Sequence, residues 1–220
     1  MMTTNKLTKT FASGSLAIGV LAGAVLTATS ASAASMVLTW DQWTSGTALE
    51  VGDKIVKFKQ GSITGGFVAE AADKVALLEM GDEYDFVYDA MDGATSSNST
   101  SGSFAYTIEI LPTYPNWYIN GVDLDSNVTA TYGTVTETFA EIPETLISVN
   151  GSAVPPSGFI PIAPIKKLTV TNTLAANSGE ELLSFQNSFH QSVPVPEPGT
   201  ILGLLAVGGL GLVSRFKKQK

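Results

Sequence analysis

The chain contains no cysteine and a single histidine among its 220 residues. The absence of cysteine excludes disulfide bonds, thiol catalysis and cysteine-ligated metal centres. Any mechanism that needs an imidazole base would have to use His190, and no G-x-S-x-G nucleophile elbow accompanies it. The sequence therefore gives little support to the common cysteine- and histidine-based enzyme classes.

Basic residues are scarce in the middle of the chain. Residues 34–198 contain six lysines and all 20 acidic residues, which gives this segment a net charge of −14, against −8 for the whole chain. Phosphate repulsion would oppose nucleic-acid binding by such a surface. We therefore expect no nucleic-acid partner, and an acidic, soluble body suits an exported protein.

Residues 1–33 have the three parts of a secretory signal peptide. Two lysines precede an apolar run, and the A-S-A sequence at residues 31–33 offers the small side chains that signal peptidase requires. We predict cleavage by signal peptidase after Ala33, with Ala31 and Ala33 as the recognised residues. An uncleaved N-terminal membrane anchor is the alternative.

Residues 34–192 alternate between apolar and polar side chains in several short stretches, which is the pattern of half-buried strands. Turn-forming Gly, Asn, Ser and Pro residues separate these stretches, and the pairs Asn120-Gly121 and Asn150-Gly151 are predicted turns. The stretch 152–164 holds four prolines, so we expect it to run irregularly. We predict an all-β fold, a single β-sandwich of jelly-roll or immunoglobulin-like type. A short helix within residues 67–80 stays open as an alternative, because Ala, Glu, Leu and Met favour it there. The predicted strands are 37–40, 55–59, 75–80, 84–88, 104–110, 117–119, 128–135, 146–149, 167–171 and 182–189.

Residues 193–220 differ from the rest of the chain. An uncharged, glycine-rich run at residues 200–213 is followed by the basic residues Arg215, Lys217 and Lys218. As a helix this run would be about 21 Å long, which is shorter than the roughly 30 Å hydrocarbon core of a bilayer. We predict a short transmembrane helix at 200–213, with the basic residues stopping transfer and holding that end on the cytoplasmic face.

The stretch Val195-Pro196-Glu197-Pro198-Gly199-Thr200 precedes this apolar run. With the run, the basic residues and the signal peptide, it resembles the PEP-CTERM sorting signal of exported bacterial proteins. The resemblance implies recognition by an exosortase, a membrane-embedded cysteine protease, with Pro196, Glu197 and Pro198 as the recognition element. The protein would be anchored in the inner membrane before processing and then reach the cell envelope or the extracellular space. A permanent single-span anchor is the alternative.

Asp123, Asp125 and Asn127 follow the 1, 3, 5 spacing of an EF-hand loop. Val128 stands where that loop needs glycine, and Thr134 stands where it needs a bidentate glutamate. The segment is therefore not an EF-hand. A calcium site in a loop of the β-sandwich is kept as a candidate, and no other cofactor is expected.

Two further groups of side chains each allow two interpretations. Asp85 and Asp89 share a face of one predicted strand, and we predict a solvated outer surface there rather than a cation site. Trp40, Trp43, Trp117 and Tyr118 could stack on sugar rings or pack in the core. A strand would place Trp40 and Trp43 on opposite faces, so at most one of them is expected in the core.

These features predict a non-enzymatic structural or interaction protein of the cell envelope or extracellular matrix, with extracellular polysaccharide as a candidate partner. The alternative is a secreted carbohydrate-binding or carbohydrate-active protein, because a glycoside hydrolase needs only two carboxylates. The sequence marks no particular pair of carboxylates for that role.

Overall fold

The computed structural model describes residues 34–91, 93, 95, 97–154 and 158–193. Within these ranges the chain forms thirteen strands and one short helix. In chain order the elements are β1 (Ser35–Thr39), α1 (Trp40–Thr44), β2 (Leu49–Val51), β3 (Lys54–Phe58), β4 (Lys74–Met80), β5 (Glu83–Asp89), β6 (Gly102–Ile110), β7 (Tyr118–Val128), β8 (Gly133–Phe139), β9 (Thr145–Val149), β10 (Ser152–Val154), β11 (Ile160–Ile165), β12 (Lys167–Ala176) and β13 (Leu182–Ser192).

The strands form two antiparallel sheets. Sheet A has the order β1-β4-β5-β13-β7-β11, and sheet B has the order β10-β9-β8-β12-β6-β3-β2. The last strand, β13, lies inside sheet A and pairs along most of its length with β5 on one side and β7 on the other. We define the body as residues 34–192. Because β13 is the last strand of the body and lies inside sheet A, sheet A is complete only when β13 is present. The predicted all-β fold is confirmed as two antiparallel sheets.

The inner faces of the two sheets share one hydrophobic core. Phe104, Tyr106 and Ile108 of β6 are fully buried on one face, as the alternation of this stretch predicted. Phe86 of β5 meets Tyr106 across the interior, with ring centroids 4.2 Å apart. Burial of a large apolar side chain contributes about 1.5–3 kcal/mol, so these aromatic pairs hold the sheets face to face.

The prediction that Trp40 and Trp43 lie on opposite faces of a strand is wrong. Both belong to α1, a five-residue helix capped by Thr39, whose side chain accepts from the Gln42 N–H while the Gln42 side chain accepts from the Thr39 N–H. A spacing of three places both indoles on the same helix face. Their rings lie 5.4 Å apart, and both are buried in the core.

The alternative helix within residues 67–80 is also wrong. Residues 67–73 form no helix, and residues 74–80 form β4. Val75 and Leu77 are fully buried on the inner face of sheet A. Pairing with β1 and β5 on both sides outweighs the modest helix propensity of this stretch.

One strand prediction and one turn prediction are wrong, and a second turn prediction is confirmed. The strand predicted over 128–135 is broken by a turn in which the Tyr132 N–H donates to the Thr129 carbonyl at 3.1 Å. The Asn-Gly pair at 120–121 lies within β7 instead of forming a turn. The pair Asn150-Gly151 does form the turn between β9 and β10, with φ values of 51° and 80°.

The proline-rich stretch at 152–164 was expected to run irregularly. It instead contributes the short strand β10 and most of β11, at the outer edges of sheets B and A. β11 contains Pro161 and Pro164, and its register with β7 shifts between Pro161 and Ile165. Proline is tolerated on an edge strand because one side of that strand needs no donor.

Several predictions lie outside the described residues. The signal peptide at 1–33 and the sorting segment from residue 194 onward, with its helix at 200–213, are among them. The helix found in the described ranges lacks the length and apolar composition of a membrane span.

Candidate functional site

The residues predicted to carry sorting and export also fall outside the described ranges, and their roles stay predictions. These residues are Ala31 and Ala33 at the signal peptidase site, Pro196, Glu197 and Pro198 in the sorting motif, and Arg215, Lys217 and Lys218 at the membrane stop.

Asp123, Asp125 and Asn127 lie along β7, so the loop assumed for a calcium site is wrong. All three point to the outer face of sheet A, and the extended backbone spaces successive members by about 6.7 Å. Asp123 is half-buried, whereas Asp125 and Asn127 are exposed. No group of three or more His, Asp or Glu side chains suited to a metal ion occurs in the ranges that the structure describes. Calcium binding by these residues stays a prediction.

The outer face of sheet A carries a row of acidic residues, and within it the sequence predicted a solvated surface at Asp85 and Asp89. Asp85 of β5 lies opposite Ser188 of β13, and Ser188 lies opposite Asp123 of β7. Asp85 is fully buried, so the prediction of a solvated surface is wrong for this residue. Because Asp85 is buried, a dissolved substrate cannot reach its carboxyl group.

Burial changes the protonation of this row. Burial, with a smaller contribution from the neighbouring Glu83 carboxylate, raises the pKa of Asp85 to about 7, against hydrogen bonds from Ser188 and Gln186 that lower it. Burial also raises the pKa of Asp123, with a contribution from Asp125. A substantial fraction of the Asp85 side chains therefore stays protonated at neutral pH.

A second set of polar side chains lies between the sheets. Glu137 of β8 is fully buried beside its cross-strand partner Asn172, whose side-chain oxygen accepts from the Asn187 amide of β13 at 3.1 Å. Burial raises the pKa of Glu137 well above its ordinary range, so this carboxyl is neutral. The group joins the two sheets by polar contacts and is closed to solvent.

The exposure of the aromatic side chains tests the prediction that they form a sugar-stacking surface. Burial of Trp40 and Trp43 in the core rules them out as a platform, and this alternative is wrong for both. Tyr118 remains partly exposed, but the Lys166 ammonium lies 3.9 Å from the centre of its ring. Lys166 also donates to the carbonyls of Tyr114, Pro115 and Trp117, which fixes the loop before β7.

His190 occupies the outer face of sheet A near its end. Its Nε2 lies 3.4 Å from the Asp82 carboxylate, and its ring packs 5.2 Å from that of Phe159. The histidine is one-third exposed. These contacts hold the ring in place against the surface of the sheet.

A buried lysine is the feature that the sequence reasoning missed. Lys54 of β3 is fully buried, and its ammonium donates to both carboxylate oxygens of Asp53 at 2.8 and 2.9 Å. It also contacts the side-chain oxygen of Gln191 on β13 and lies 4.3 Å from the centre of the Tyr84 ring. The alternation of β3 indicated this position, since Lys54 shares its face with the buried Val56.

Burial and the neighbouring charges act in opposite directions on the pKa of Lys54. Burial lowers the pKa of Lys54 to about 8, with a smaller lowering by Lys166, while Asp53 and Glu79 stabilise the ammonium and oppose the shift. A buried ion pair needs such close partners, because each charge alone would be strongly destabilising.

Both ends of the body leave sheet A beside the turn between β4 and β5. At the start of the body, the Ala34 carbonyl accepts from the Glu79 N–H at 2.8 Å. At the end of the body, the Gln191 N–H donates to the carbonyl of Asp82 in that turn at 2.9 Å. β13 then ends at Ser192, at the same end of sheet A at which β1 begins.

Comparison with known proteins gives one family match. No curated protein matches the chain. A family model for the PEP-CTERM protein-sorting motif matches residues 194–218, and the match begins two residues after the end of β13. The chain therefore carries a PEP-CTERM protein-sorting motif directly behind its all-β body.

Proposed function

We propose that this chain is a Sec-exported structural or interaction protein of the cell envelope or extracellular matrix, sorted by an exosortase. The body is a β-sandwich of jelly-roll or immunoglobulin-like type. The observation that carries this function is the motif match at 194–218, which directly follows the folded body.

The proposed topology follows from the order of the segments. The signal peptide at 1–33 directs export, and the apolar run at 200–213 stops in the inner membrane with Arg215, Lys217 and Lys218 on its cytoplasmic side. Both ends of the body leave sheet A at the same end. The body can therefore stand outside the membrane with that end directed toward it.

The short distance between the folded body and the motif limits how far from the body the exosortase can bind. Glu197 lies five positions after Ser192, and a fully extended chain spans at most about 18 Å over that interval. The sequence of this stretch holds prolines at 194, 196 and 198, and proline disfavours helix at its own position and at the residue before it, so we expect an extended segment. We infer that the enzyme recognises Pro196, Glu197 and Pro198 close to the end of the body.

Processing at the motif leaves the fold intact. β13 ends before the matched residues begin, and its pairing with β5 and β7 uses residues up to 192. The released product is therefore the complete two-sheet body. A structural or binding role suits this product, since Asp85 and Glu137, the acids with the strongest burial, are closed to solvent.

Substitution of Glu197 tests this function. In a host that encodes an exosortase, Glu197→Ala is expected to leave export intact and to block removal of the tail, which western blotting of membrane and extracellular fractions would show. Glu50→Ala is the matched control, because Glu50 is an exposed glutamate within the body. Processing of Glu197→Ala at the wild-type rate would refute recognition of the motif.

A further inference from the structure

Lys54 and Gln191 lie in different sheets and meet in the interior. Lys54 belongs to β3 of sheet B, and Gln191 belongs to β13, an inner strand of sheet A. Both residues are buried, at 0% and 5% exposure. The amine contacts the Gln191 side-chain oxygen, and that oxygen is bonded to the amide carbon. The nucleophilic nitrogen is therefore within reach of an electrophilic carbon.

The surroundings of Lys54 favour its use as a nucleophile. The Asp53 carboxylate lies 2.8 Å from the amine and can accept a proton from it. The lowered pKa of about 8 leaves roughly one Lys54 side chain in ten neutral at pH 7. Burial also excludes water, which would otherwise compete with the amine for the Gln191 amide carbon.

We propose that Lys54 and Gln191 form an intramolecular amide cross-link that joins the two sheets covalently. A contact held permanently in the native fold acts like a very high effective concentration, so a reaction that is slow between free side chains becomes feasible here. The structure supplies all of the reactants, and no oxidant or cofactor takes part.

The reaction balances as an amide exchange. Asp53 accepts a proton from the Lys54 ammonium, and the neutral amine attacks the Gln191 amide carbon to give a tetrahedral intermediate. Asp53 returns that proton to the departing nitrogen, and the original carbon–nitrogen bond of Gln191 breaks to release ammonia. The ammonia takes the extra proton from the former Lys54 nitrogen and leaves as ammonium. The products are a secondary amide between Lys54 and Gln191, an ionised Asp53 and one ammonium ion.

The position of the cross-link suits the sorting role, although the reaction itself does not depend on that role. Gln191 lies three residues before the matched motif, so a pull on the tail would act first on β13. The cross-link would pass that pull to β3 in the opposite sheet. A chain without cysteine gains in this way a covalent link that disulfides supply elsewhere.

Intact-mass spectrometry of the full chain purified in detergent tests the cross-link. The expected mass is lower than the sequence mass by one ammonia, and protease digestion is expected to give a branched peptide that joins Lys54 to Gln191. Lys54→Arg is expected to restore the full mass, whereas Lys57→Arg, an exposed lysine on the same strand, is expected to keep the ammonia loss.

Two controls make the result decisive. The Asn-Gly pairs at 120–121 and 150–151 can also lose ammonia by forming cyclic imides, which mild alkali opens while an amide cross-link persists. Near-UV circular dichroism establishes that the measured protein is folded. A folded wild-type chain with its full mass would overturn the proposal, and so would an ammonia loss that alkali reverses. An Asp53→Ala chain that cross-links as fast as the wild type would overturn the part assigned to Asp53.

Discussion

Replacement of Asp85 by asparagine should stabilise the protein more at high pH than at low pH. Asp85 is fully buried on the outer face of sheet A, and burial raises its pKa from an ordinary 3.8 to about 7. Between these two values the folded protein holds a proton that the unfolded chain releases. Stability from this group is complete below about pH 4 and is lost as the pH rises toward 7.

The size of the effect follows from the two pKa values. A difference of about 3 units lowers the free energy of unfolding by about 4 kcal/mol at pH 8, and by about 1.5 kcal/mol at pH 5. Asparagine has no proton to lose, so Asp85→Asn removes both penalties. The stabilising effect should therefore be about 2.5 kcal/mol larger at pH 8 than at pH 5.

Urea denaturation of both proteins at pH 5 and pH 8, followed by tryptophan fluorescence, measures this difference. The raised pKa values of Asp73, Asp123 and Glu137 occur in both proteins, so their effects largely cancel in the comparison. Glu50→Gln, at an exposed position, is the control and should show little dependence on pH. A stability change of Asp85→Asn that is equal at the two pH values would refute the buried, protonated state.

Two further predictions concern the core and a turn. Trp43→Ala should lower the free energy of unfolding by about 3–5 kcal/mol, because the indole is fully buried among Phe58, Phe86 and Tyr106. A loss below about 1 kcal/mol in urea denaturation would contradict this packing. Gly52→Ala should cost at least about 1–2 kcal/mol, because Gly52 has a φ of 56° and its added methyl group would meet a core hydroxyl; an unchanged melting temperature would argue against that turn.

Strand positions with strict alternation were predictable from the sequence. β5 and β6 place aromatic and aliphatic residues at every second position, and a pattern of period two has one physical solution when one face is buried. The position of α1 was missed because two tryptophans looked like strand residues. The capping pair Thr39 and Gln42 was the available signal, and it outweighed the β propensity of Trp40.

The interior polar groups could not be predicted to the same degree. The burial of Asp85 and the meeting of Lys54 with Gln191 depend on which strands become neighbours, and 137 positions separate Lys54 from Gln191 in the chain. Alternation assigns each residue to a face and says nothing of the opposite sheet. The sorting motif was accessible because its residues act as a contiguous stretch, and the family match confirms it at 194–218.

Mass spectrometry of the mature protein from a host that encodes an exosortase tests the proposed function most directly. The account predicts a product that begins at Ala34, keeps the body through Ser192 and lacks the apolar run at 200–213. A mature protein that retains residues 200–213 and the basic residues after them would contradict processing at the PEP-CTERM motif and would identify the tail as a permanent anchor.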